Sequence, residues 1–149
     1  MPGSWRAEDL PNLKDGNWTC KSPYKRRYNC IAWAAGDDQN WWCPLVYWPD
    51  GVDRDDTIDA YLDAFRTVGY EECADASLEE GFEKVALFAV TAAGRLIPQH
   101  AARQLPDGRW TSKIGRAEDI EHDSLEAVTC DDYGVPVRYM KRERKPKSD

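Results

Sequence analysis

Four residues, Leu105-Pro106-Asp107-Gly108, constrain this chain more than any other stretch. They fit a type I turn followed by a glycine in the left-handed bulge position, which is the chemistry of a three-residue hairpin loop. Such a loop pairs Leu105 with Arg109. Counting back then sets Ala102 opposite Ser112 and His100 opposite Ile114, and side-chain alternation puts His100, Ala102, Gln104, Trp110 and Ser112 on one face. His100 and Ser112 become diagonal neighbours across the hairpin.

The elements around this hairpin follow from local signals. V-A-L-F-A-V (Val85 to Val90) reads as a buried strand, Ala93-Gly94 as the turn after it, and V-P-V-R-Y-M as a last strand whose Pro136 favours a sheet edge. A helix is expected where Asp55, Asp56 and Thr57 supply caps and N-terminal charge, Ile58, Tyr61, Leu62 and Phe65 recur at helical spacing, and Gly69 ends it. A shorter helix is expected from Cys30, with Asn29 as N-cap, small residues at Ala32, Ala34 and Ala35, and Gly36 as the stop. Residues up to about Tyr28 read as an irregular lead-in. Ser77-Leu78-Glu79-Glu80 predicts a short turn, Ala117 to Ile120 a helical turn, and Ser124 to Glu126 another. Helices first and then a mainly antiparallel sheet make the expected class α+β. One domain over 1–140 and a flexible basic tail over 141–149 complete the expected layout.

Charge and length exclude several functions. The chain has 149 residues, and its 42% hydrophobic content fills one core. A formal charge of −7 with scattered acidic residues offers no positive stripe for a phosphate backbone, so no nucleic-acid partner is expected. The first ten residues lack the basic-then-apolar pattern of a signal peptide, and no apolar run is long enough to span a bilayer. The expectation is therefore a chain made in the cytoplasm with no membrane partner. Five cysteines at irregular intervals fit a reduced compartment better than a disulfide framework. They lack metal-ligand spacing, so neither a metal nor another cofactor is expected.

Two cysteine and histidine positions carry the chemistry to be tested. A free cysteine is most often a small buried hydrophobe. At the N-terminus of a helix, however, unpaired N–H groups favour a thiolate, and Cys30 stands there. A nucleophile also needs a base. The chain contains two histidines: His100 opens the hairpin, whereas His122 sits among carboxylates in E-D-I-E-H-D and reads as more exposed. The group orienting the imidazole is Ser112 by hairpin register or Asp119 by charge, and the sequence ranks them equally. Asn29, Tyr28 and the backbone of Cys30 are candidates for an oxyanion hole. Six of the seven tryptophans lie in the first fifty residues. Trp41, Trp42 and Trp48, with Trp110 on the His100 face, are candidates to wall a substrate groove or a partner surface.

Cysteine at a helix start, histidine opening a hairpin and a polar residue late in that hairpin resemble the papain-like hydrolases, especially the compact bacterial NlpC and CHAP amidase-peptidases. More closely, N-C-I-A-W-A-A-G, H-A-A-R-Q-L-P-D-G-R-W-T-S-K-I-G, E-D-I-E-H and Y-G-V resemble a family of small bacterial proteins without an established activity, over roughly Asn29 to Met140. The papain-like resemblance implies N-terminal helices packed on an antiparallel sheet and a cysteine hydrolase or acyltransferase acting on a peptide or peptidoglycan-like amide. It makes Cys30 the nucleophile, His100 the base and Ser112 the orienting residue. Such a substrate requires delivery by a dedicated secretion system or a cytoplasmic counterpart. The alternative is a non-enzymatic module that holds a protein partner on its tryptophan-rich surface.

Overall fold

The computed structural model describes residues 11–12, 18–22, 30–36, 48–54, 57–113, 119–131 and 133–144. Among these, seven strands form one antiparallel sheet: β1 (Trp18–Ser22), β2 (Glu71–Cys73), β3 (Phe82–Ala92), β4 (Arg95–Gln104), β5 (Trp110–Lys113), β6 (Asp119–His122) and β7 (Val135–Glu143). Their order across the sheet is β1-β6-β5-β4-β3-β7-β2. Two helices, α1 (Cys30–Ala35) and α2 (Ile58–Arg66), accompany it, and the class is α+β.

The middle of the sheet explains why V-A-L-F-A-V is apolar without alternation. Val85, Leu87 and Ala89 face α1, α2, Trp48 and Tyr70 on one side. Ala86 and Phe88 face Trp110, Ile120 and Val128 on the other. A strand covered on both faces has no solvent side to make polar.

The hairpin has the expected register. Leu105 N–H donates to Arg109 O (2.7 Å) and Gly108 N–H to Leu105 O (3.0 Å), with Gly108 at φ 91°. Gln104 then faces Trp110, and Arg103 faces Thr111. Ile114, expected opposite His100, lies outside the described residues. Among the described residues, Pro136 sits where β7 has a single neighbour, because β2 covers only Tyr139 to Lys141. Its missing N–H therefore costs no ladder bond on that side.

α2 also forms as its pattern requires. The Thr57 hydroxyl accepts from Ala60 N–H (3.2 Å), Asp59 and Arg66 lie at the favourable ends, and Ile58, Tyr61, Leu62 and Phe65 are buried. Thr57→Ala is expected to lower stability by about 1 kcal/mol, measured by urea denaturation.

Three local expectations give way to tertiary pairing. The lead-in contains β1, which pairs with β6. The helical turn expected at Ala117 to Ile120 is overridden from Asp119 onward, where β6 takes hydrogen bonds from both β1 and β5. The flexible tail expected from 141 is corrected over its first three residues, because Lys141 to Glu143 belong to β7. Its charges are matched in place: Lys141 Nζ lies 2.9 Å from Glu79, and Arg142 Nε 2.6 Å from Glu83. Residues 145–149 lie outside the described part. Among the described residues, no helix is long and apolar enough to cross a membrane.

Candidate functional site

The hairpin brings His100 and Ser112 together on one face, and β6 adds a third member. His100 Nε2 lies 3.1 Å from Ser112 Oγ, which lies 2.8 Å from His122 Nε2. His122 Nδ1 lies 2.8 Å from the backbone oxygen of Ser124. All three side chains are fully buried. The His100 ring stacks on Tyr133 (4.1 Å between centroids, 9°) and meets the Phe88 ring edge-on at 5.2 Å.

The carbonyl at one end sets the direction of every proton in this chain. Ser124 O only accepts, so His122 Nδ1 carries hydrogen, and a neutral ring then leaves Nε2 as an acceptor. The Ser112 hydroxyl donates to it, and Ser112 Oγ accepts from His100 Nε2–H. His100 Nδ1 is left with a bare lone pair, buried and without a hydrogen-bond partner among the described residues. Burial, with a smaller contribution from the neighbouring His122, pushes the His100 pKa down to about 3. Burial likewise pushes His122 down to about 4, partly opposed by its bond to the Ser124 carbonyl. Both rings are therefore neutral near pH 7, and the chain acts as a polarised tie across β4, β5 and β6.

His122 was expected to be exposed, and this is overturned by strand alternation. Glu121 points to the opposite side from Ile120 and His122, and it binds Arg109 at 3.1 Å. Asp123, beyond the strand, binds Arg109 at 2.8 Å. The period-two spacing of Ile120 and His122 was the available signal, masked by the carboxylates between and after them.

The body of α1 meets the sheet on the face opposite the His100 imidazole. α1 packs Ile31, Ala32, Ala34 and Ala35 among Leu87, Ala89 and Ala101. Trp33 Nε1–H donates to Thr111 Oγ1 (3.0 Å), one residue out of phase with Ser112. The sheet thus stands between the body of α1 and the imidazole. Cys30 opens α1, and its side chain lies outside the described part. Asp119 opens β6 opposite Lys113 and Ser22, and its side chain likewise lies outside it.

The aromatic candidates divide in the same way. Trp48 is 3% exposed, donates to Asp53 O (2.9 Å) and packs edge-on against Tyr61, so it is core and not groove wall. Trp110 is 4% exposed and belongs to the core on the His100 face. Tyr28, Asn29, Trp41 and Trp42 lie outside the described residues.

A feature the sequence reading did not assign is a cleft of about 690 Å³ where the C-terminal ends of α1 and α2 meet β7. Gly36, Thr67 and Val68 form one side, and Glu83, Arg142 and Arg144 the other. The expectation of a flexible basic tail gave no sign of it, because Arg142 and Arg144 gain their setting from helices distant in sequence. Among the described residues, no group of three His, Cys, Asp or Glu side chains is placed to hold a metal ion.

No curated protein and no solved structure matches the chain. Residues 19–141 match a family model described as a domain of unknown function, DUF7689, and this span takes in every strand assigned above except the first residue of β1 and the last two of β7. The chain belongs to the DUF7689 family.

Proposed function

We propose that this domain is a binding module that takes its ligand in the cleft at the ends of α1 and α2, on a scaffold whose chain order resembles the papain-like hydrolases. The observation that carries this reading is the placement of His100. Its ring is fully buried and points into the face opposite the one α1 covers. A general base must come within hydrogen-bond reach of the group it deprotonates, or of one intervening water. A hydrolase with Cys30 as nucleophile and His100 as base requires the imidazole on the α1 side. The cleft, by contrast, is of a size that suits small-molecule ligands and has charged groups converging on it.

The test is native-state alkylation of each cysteine near neutral pH. Cys73 and Cys130, both half-buried, are internal references, and burial pushes the Cys73 thiol pKa up. Cys30 is expected to react no more than a few-fold faster than these two. Reaction of Cys30 tens of times faster, together with amide hydrolysis lost in Cys30→Ala, restores the hydrolase reading and overturns this one.

A further inference from the structure

We propose that the cleft beside Gly36 is an oxyanion seat and that its ligand carries a phosphate monoester. This rests on the binding reading above and names the chemistry of the ligand. Arg142 is held in place from three sides: Nε on Glu83 (2.6 Å), Nη1 on the Val68 carbonyl (2.8 Å), and the guanidinium 4.3 Å above the Tyr70 ring. Its Nη2 is turned toward Gly36, 3.2 Å from the point that a β-carbon there would occupy. Arg103 Nη1 lies 3.8 Å from the same point. The Arg103 guanidinium rests 5.2 Å above the Trp33 ring, which leaves the in-plane N–H groups to face outward. Among the described residues it has no hydrogen-bond acceptor and no carboxylate partner. Arg144 adds a third guanidinium, 3.6 Å from Glu83.

The charge balance favours an anion. Glu83 is the one carboxylate among the cleft's described lining residues, against the two guanidiniums of Arg142 and Arg144, and Arg103 stands beside Gly36 at its edge, on a protein of formal charge −7. The negative end of α2 is already answered by Arg142 at the Val68 carbonyl. Arg103 and Arg142 come from β4 and β7, on either side of β3, so they converge on a ligand from two directions. A planar carboxylate is matched by a single guanidinium fork. A tetrahedral phosphate presents further oxygens and accepts from both. Gly36, at φ +90°, keeps the space between them clear.

The experiment is a titration of the full chain with inorganic phosphate, and separately with acetate, at constant ionic strength, followed by amide chemical shifts. Saturable shifts at Gly36, Arg103 and Arg142 with phosphate are expected, weakened about tenfold in Arg103→Gln, which removes a charge-assisted contact. Arg103→Lys is expected to recover part of that loss. Arg95→Gln, at the other end of β4, serves as the charge control and is expected to bind like the parent. Equal binding of acetate assigns the seat to carboxylates and overturns the phosphate inference, while leaving the cleft as a binding site. Phosphate shifts that do not saturate, or that Arg103→Gln leaves unchanged, also overturn it. The binding reading itself is judged separately, by the reactivity of Cys30.

Discussion

Gly134→Ala is expected to leave little folded protein. Gly134 has φ +77°, where a side chain is strained regardless of space. An added β-carbon there would also overlap the Ala89 carbonyl and come within 2.8 Å of Val90 N. Ala89 cannot yield, because its backbone is paired with Pro98 on β4 and Val135 on β7 in the middle of the sheet. Strain and overlap together cost at least about 4 kcal/mol, a large part of the 5–15 kcal/mol that holds a domain folded. Gly81→Ala is the matched comparison: φ is +85°, but among the described residues nothing lies within 4 Å of the added carbon. It is expected to cost about 1 kcal/mol, the left-handed penalty alone. Urea denaturation of both variants checks this, and equal losses contradict the close approach of Gly134 to β3.

Acid is expected to unfold this protein through its two buried histidines. The ordinary histidine pKa of 6.5 applies in the unfolded chain, whereas the folded values are about 3 for His100 and about 4 for His122. Both folded values are depressed, so between pH 6.5 and about 4 the unfolded state binds more protons and stability falls as pH falls. With two protons taken up on unfolding, the slope approaches about 2.7 kcal/mol per pH unit. Well above pH 6.5 both rings are neutral in either state and this contribution is flat. His100→Phe keeps a ring against Tyr133 and leaves the Ser112 hydroxyl donating to His122, so it is expected to halve the slope. Ser112→Ala strands both imidazole Nε2 atoms and is expected to cost about 2–4 kcal/mol at pH 7. Urea midpoints from pH 7.5 to 4.5 measure all three, and a stability independent of pH over that range rules out buried neutral histidines.

What could be read locally was read from turn chemistry and periodicity. Leu105 to Gly108 dictated a three-residue loop, the loop dictated register, and register placed His100 beside Ser112, as the 3.1 Å contact records. α2 was legible because its cap and its apolar stripe lie within ten residues of one another. The third member of the buried chain was not legible. His122 reached Ser112 only because β6 pairs with β5, and the carboxylates around it pointed to an exposed loop.

By itself, then, the sequence determined the hairpin, its register and the cap and stripe of α2, since these depend on φ preferences, side-chain alternation and contacts within a few residues. Only the tertiary structure decided which face of the sheet α1 would cover, that Trp48 would be core, and that Arg142 and Arg144 would line a cleft. Those outcomes depend on burial against elements far away in the chain. No local pattern records on which side of a sheet buried on both faces a preceding helix comes to rest. That choice placed the His100 imidazole opposite the helix that carries Cys30.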